Sequence, residues 1–232
     1  MRGVAQLDTA HVPGDTVAPV STPRRIAIVD YGAGNVTSVQ HALLRALTPA
    51  SLHVEVRLTA APDDVTAADL VVFPGQGHFG HAMAQLRTTG LALALHETAR
   101  AGKPFVGICL GMQLLFEGSD EAPGEHGLGL LPGRCVRFEA PRKVPQIGWN
   151  TIDLHGQGSA LDGLQGRHFY FAHSFHVQPA QGGDVLATSD YRGPFVAAVR
   201  RGNLLGVQFH PEKSGRAGER FWRQLLGVRE VG

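Results

Sequence analysis

The chain has 232 residues, of which 43% are hydrophobic and 18% charged, with a formal net charge of +1. That length suffices for a full core, in one domain or two small ones, and the composition is that of an ordinary globular protein. Charge this balanced, with only short basic pairs such as Arg24-Arg25 and Arg200-Arg201, excludes nucleic acid as a main partner; no apolar run reaches bilayer length, so no membrane role is expected.

Residues 1–23 contain Pro13, Pro19 and Pro23 and no sustained periodicity. They lack the uninterrupted apolar core of a signal peptide, and read as a flexible N-terminal extension before one folded domain over 24–232. RRIAIVDYG then reads as a buried strand closed by the turn GAGN. Asn35 is placed to cap a helix whose Val36, Val39, Leu43, Leu44 and Leu47 share one face. HVEVRLT and DLVVFPG read as the next two strands. A helical stretch from about His78 to Arg100 follows, with a break expected near Gly90. AGKPFVGIC is a fourth strand and LGMQLLFEG a helix behind it. Strands alternating with helices predict an α/β fold: an open, mostly parallel sheet with helices on both faces.

From about residue 131 the texture changes. RCVRFE, WNTIDLH, RHFYFAHSFHV, DVLATSDY, PFVAAVRRG and LLGVQFH read as strands joined by short turns. They predict antiparallel strands added in the C-terminal half, and RAGERFWRQLL closes the chain as a helix.

The two cysteines, Cys109 and Cys135, fall on separate predicted strands. A chain of this size needs no disulfide, which favours a reducing compartment. Twelve histidines occur, but no CxxC or HExxH, so no metal site is expected.

Gly107-Ile108-Cys109-Leu110-Gly111 has the form glycine, any residue, nucleophile, any residue, glycine of a strand-to-helix elbow. Small neighbours let strand and helix approach at such a turn. The first-turn dipole would favour the Cys109 thiolate, and the Leu110 N–H would face the oxygen of an attacked carbonyl. A buried cysteine at a tight turn stays open as the plain alternative. In GVQFHPEKS, His210 ends an apolar strand that Pro211 stops, and Glu212 stands two residues on. Cys109, His210 and Glu212 can thus form a nucleophile, base and orienting carboxylate. Gly75-Gln76-Gly77 follows a third apolar strand, at the sheet end where ligands gather, and could supply a second oxyanion donor.

Together these elements resemble the class I, or triad, glutamine amidotransferases, whose fold is flavodoxin-like. Six blocks in order, DYGAGNVTSV, FPGQGHFGHAM, GICLGMQLLFEGSDE, VPQIGWN, YFAHSF and HPEKSG, resemble more narrowly the glutaminase-subunit family of imidazole glycerol phosphate synthases. The resemblance implies a catalytic Cys109, His210 and Glu212, with an oxyanion hole at Gly75, Gln76, Gly77 and Leu110. It implies a glutamine site at Gln113, Glu121, His173, Ser174 and Phe175. It also implies a heterodimer with a (β/α)8-barrel cyclase that receives ammonia and makes imidazole glycerol phosphate and aminoimidazole carboxamide ribotide in histidine biosynthesis, in the cytoplasm and without a cofactor. Asn35, Gln146, Trp149 and Lys213 are the implied interface. Gln76, Gln146 and Phe175 depart from the family's usual small aliphatic, histidine and tyrosine. A class I glutaminase serving another synthase, a cysteine amidase or peptidase on the same elbow, and a silent scaffold subunit remain as alternatives. An intact triad counts against the last.

Overall fold

The computed structural model describes residues 25–32, 35–48, 54–155 and 160–228. The 1–23 extension, and Ala33 and Gly34 of the GAGN turn, lie outside the described residues.

The N-terminal half alternates as expected: β1 (Arg25–Val29), α1 (Val36–Leu47), β2 (Glu55–Thr59), α2 (Pro62–Ala67), β3 (Leu70–Gly75), α3 (Phe79–Thr88), α4 (Leu91–Arg100) and β4 (Phe105–Cys109). One helical turn, α5 (Leu110–Gln113), follows the nucleophile candidate. The remainder is β5 (Gly118–Ser119), β6 (Gly133–Arg137), β7 (Gln146–Thr151), β8 (Asp153–Leu154), β9 (His168–His173), β10 (Phe175–Pro179), β11 (Val185–Asp190), β12 (Pro194–Arg201), β13 (Leu204–Val207) and α6 (Gly215–Leu225).

The main sheet has eight strands in the order β2-β1-β3-β4-β13-β12-β11-β8. The first five run parallel, and β12, β11 and β8 continue it antiparallel. Side chains alternate across the parallel strands. Ile26, Ile28, Val72 and Ile108 face α1 and α6, whereas Ala27, Val29, Val71 and Phe73 face α3 and α4. Burial on both faces explains why β3 and β4 are apolar throughout. Two smaller sheets, β10-β6-β5 and β7-β9, stand beside the main one.

Four expectations need correction. The helical stretch does divide at Gly90, which adopts φ 76°, but LGMQLLFEG is not a helix beyond Gln113. Its carbonyls at Leu114 and Leu115 accept from the N–H groups of Leu128, Leu130 and Leu131 instead. RHFYFAHSFHV is two strands, because β9 pairs with β7 while β10 pairs with β6. Leu44 is 44% exposed, and Ala42 and Ala46 share the buried face of α1 in its place. Helix α2 was not anticipated, although Pro62 in its first turn with Asp63 and Asp64 beside it is a helix-start signature. No helix among the described residues is long and apolar enough to cross a membrane.

Candidate active site

Cys109 closes β4 with φ 54° and ψ −113°, an unusual conformation for a residue with a side chain. Its surroundings leave no slack. A Cβ on Gly111 would overlap the Phe73 carbonyl, and one on Gly107 would come 2.8 Å from the Gly111 oxygen. Gly75 pairs with Cys109 across the strands, and a Cβ there would lie 2.6 Å from the Tyr31 hydroxyl. The elbow therefore requires all three glycines. With α5 only one turn long, the expected helix dipole is small, and the local N–H groups of the turn are what remain of that effect.

His210 follows β13, the strand next to β4, so the sheet itself brings it to Cys109. The turn Pro211–Lys213 returns Glu212 to it, and His210 Nδ1 donates to Glu212 Oε1 at 2.8 Å. Both side chains are almost fully buried, at 7% and 1% exposure. Burial disfavours charge on the His210 ring. Hydrogen bonding and charge from Cys109, then Glu212, outweigh it and raise the ring from 6.5 to about 10. The pair is therefore suited to an imidazolium facing a thiolate.

The expected cap at Asn35 is different in kind. Asn35 precedes α1 in the left-handed region, with φ 75°, and its side chain makes no cap bond. Its Nδ2 donates instead to Glu212 Oε1 at 2.7 Å.

A cavity of about 270 Å³ opens over the sulfur. Its lining includes Gln76, Gly77, Cys109, Leu110, Gln113 and Glu121 from the chain segment 76–121. His173, Ser174, Phe175, His210 and Lys213 line it from the C-terminal half. Gly75 does not reach the cavity and packs behind the elbow. Gly77 takes φ 95°, a turn suited to glycine. Glu121 accepts the Phe79 N–H at 2.8 Å. His173 donates Nδ1–H to the Phe175 carbonyl at 2.8 Å, and burial pushes its pKa down to about 3, so the ring is neutral. A cysteine on an elbow, an imidazole beside it and a carboxylate that orients the imidazole, all at a pocket of this size, are the equipment of thiol-dependent amide hydrolysis.

A model of the class-I glutamine amidotransferases matches residues 27–225. The chain belongs to that family. A Rhodopirellula baltica protein named imidazole glycerol phosphate synthase subunit HisH is 45% identical over 202 residues, 86% of this chain and 96% of that one. A Deinococcus radiodurans protein of the same name is 46% identical over 209 residues, covering 88% and 93%. The Arabidopsis thaliana chloroplastic imidazole glycerol phosphate synthase hisHF is 40% identical over 205 residues, 87% of this chain but 34% of that protein. Among solved structures, a glutamine amidotransferase superposes with TM-score 0.68 at 21% identity, covering 88% and 99%. One from Thermotoga maritima gives 0.59 at 16% identity, covering 85% and 80%. At those identities the structures speak to the fold alone.

Within this amidotransferase the interface residues implied by resemblance divide. Trp149 is 57% exposed and Lys213 is exposed. Gln146 is only 3% exposed, because alternation along β7 turns it inward while Ile147, 65% exposed, faces out. Gln146 is thus corrected from an outward-facing position to an interior one, and its neighbour Ile147 is the residue left exposed. Two residues were missed. Gln208, 0% exposed, donates Nε2–H to Cys109 Sγ at 3.7 Å. Ser214 donates to the His210 carbonyl at 2.6 Å and accepts the Tyr170 N–H at 3.0 Å, which ties the His210 segment to β9. Gln208 had one usable signal, its position two residues before His210 on the same face of an extended chain.

Proposed function

We infer that this chain is the glutaminase subunit of an imidazole glycerol phosphate synthase, hydrolysing glutamine and supplying the ammonia to a cyclase subunit in histidine biosynthesis. Residues 24–232 are read as one amidotransferase domain working in the cytoplasm, a setting consistent with two unpaired cysteines. The observation that carries the chemistry is the 2.8 Å bond from His210 to Glu212 beside a cysteine held on a strained elbow.

In this reading the Cys109 thiolate attacks the side-chain amide carbon of glutamine. The tetrahedral oxyanion is held by the Leu110 N–H and by an amide of the Gln76-Gly77 turn. His210 gives its proton to the leaving nitrogen, ammonia departs, and a thioester remains. His210 then takes a proton from water, which attacks the thioester to release glutamate and the sulfur. Glu212 keeps the ring oriented. Glu121 binds the α-ammonium, with one oxygen already on the Phe79 N–H. Backbone amides at Ser174 and Phe175 bind the α-carboxylate. Both Gln113 side-chain protons are spent on the Phe175 carbonyl and Gln208, so its oxygen is the atom offered to substrate. His173 serves as a neutral wall of the pocket.

The partner is proposed to be a (β/α)8-barrel cyclase, docked on Ile147, Trp149 and Lys213. Ile147 and Lys213 also line the cavity, so a protein seated there would cover its mouth and keep ammonia from water. A match to only 34% of the Arabidopsis hisHF protein leaves room in that chain for a second unit. Glutamate release should be weak for the chain alone, rise strongly with the cyclase and its nucleotide ligand, and vanish in Cys109→Ala. A rate indifferent to the cyclase would sink the histidine-pathway reading and leave a glutaminase for another acceptor.

A further inference from the structure

We propose that Gln208 is a further catalytic residue, whose side-chain N–H holds the Cys109 sulfur in its ionised form, with Gln113 fixing the direction of that N–H. The proposal rests on Cys109 being the nucleophile of the reading above.

The direction follows from what each atom can do. The Phe175 carbonyl only accepts, so the Gln113 atom 2.9 Å from it is Nε2. That same nitrogen meets Gln208 at 3.0 Å, and only an oxygen can receive it there. Gln208 Oε1 is therefore turned to Gln113, and Gln208 Nε2 is left facing Sγ at 3.7 Å. Reversing the Gln208 amide would oppose N–H to N–H at one end and place a carbonyl oxygen against the sulfur at the other.

The relay is anchored at each member. The Gln208 backbone N–H bonds the Ala197 carbonyl at 2.8 Å. The Gln113 carbonyl accepts from the Cys135 thiol at 3.5 Å. Burial, with Glu121 and Asp120 nearby, raises Cys135 above the ordinary thiol range, so it remains a donor. Complete burial of Gln208 removes competition from solvent and strengthens a charge-assisted bond.

The sulfur has opposing neighbours. The Ala172 carbonyl, 3.9 Å away, accepts the S–H and so favours the thiol. Gln208 favours the thiolate, as does His210. The Tyr31 hydroxyl lies against Gly75, the strand partner of Cys109, and its pKa is raised by burial first and then by the Cys109 charge. Glu121, His173 and Lys213 line the same cavity, and Glu212 lies behind His210. Gln208 is thus the neutral donor that can offset Ala172 without itself titrating.

The test is the pH profile of iodoacetamide alkylation at Cys109, read by peptide mass in the full chain, beside glutamine turnover in the complex. Gln208→Met should move the acid limb of the profile up by about one pH unit. Turnover lost at neutral pH should recover in part as pH rises. Gln208→Glu still accepts from Gln113 but sets an oxygen at the sulfur, and should move the limb further. Gln208→Asn withdraws the amide by one methylene and carries the test if the Met variant does not fold. An unmoved limb in folded variants overturns the proposal and leaves Gln208 a packing residue. Alkylation needs no glutamine, so a wild-type complex that releases no glutamate would sink the glutaminase reading alone.

Discussion

Asn35 and Glu212 stand 177 positions apart and meet through a 2.7 Å hydrogen bond from Asn35 Nδ2 to Glu212 Oε1. The same oxygen receives the His210 Nδ1 proton. Asn35 thus fixes the carboxylate that fixes the imidazole. Removing the donor in Asn35→Ala should lower kcat/KM for glutamine about tenfold, since a hydrogen bond to a charged group contributes about 1.5–3 kcal/mol. Asn35→Asp, which sets carboxylate against carboxylate, should cost more. Steady-state glutamate release in the complex checks both, and an Asp variant faster than the Ala variant would contradict the assignment.

His210 makes stability depend on pH with a definite sign. Its folded value, raised to about 10 from 6.5 by Cys109 and Glu212 against the cost of burial, lies above the unfolded one. The ring therefore binds its proton more tightly when folded. This contribution is complete below about pH 6.5 and is lost as pH rises through 10. Thermal unfolding across that window should show Tm falling less steeply in Glu212→Gln than in the wild type. Parallel curves would mean that the pair does not hold the proton.

The elbow glycines predict a stability result. Gly111→Ala forces a Cβ into the Phe73 carbonyl, and overpacking of this kind costs about 3 kcal/mol. Tm should fall by at least about 6 °C and glutaminase activity should be lost with it. Gly182→Ala, where a Cβ meets nothing, should stay within about 0.5 kcal/mol of wild type. Equal unfolding temperatures for the two variants would refute the packing account.

Trp149 predicts the opposite separation. At 57% exposure it contributes little to the isolated chain, so Trp149→Ala should leave Tm within about 1 °C. Binding to the cyclase should weaken about 30-fold if the indole is an interface anchor. Titration of the cyclase, read by glutaminase activation, would show it. A large Tm drop with unchanged binding would make Trp149 a packing residue against Tyr170, whose ring lies 6.0 Å away.

The parallel half of the sheet was readable because its burial is written into contiguous apolar runs such as LVVF in β3. The His210–Glu212 pair was readable because Pro211 forces a turn between near neighbours. What escaped depends on distant partners. Nothing local in YFAHSFHV marks Ser174 as the point where the chain leaves one small sheet for another. Leu114 and Leu115 are good helix formers, overruled by backbone donors from Leu128, Leu130 and Leu131. Gln208 becomes meaningful only with Gln113, 95 positions earlier. The inward turn of Gln146 follows from the pairing of β7 with β9, and a single polar residue in a strand does not announce its face.

The place of β13 has a consequence for synthesis. It is the last strand among the described residues, yet it lies between β4 and β12, inside the sheet. Until residues 204–207 emerge from the ribosome, β4 is an open edge made of Phe105, Val106 and Ile108, a surface prone to pair with other chains. His210 is absent from the neighbourhood of Cys109 during that interval, because it follows the same strand. The docking of this one strand therefore does two things at once: it covers the β4 edge and carries His210 to the end of the sheet where Cys109 stands.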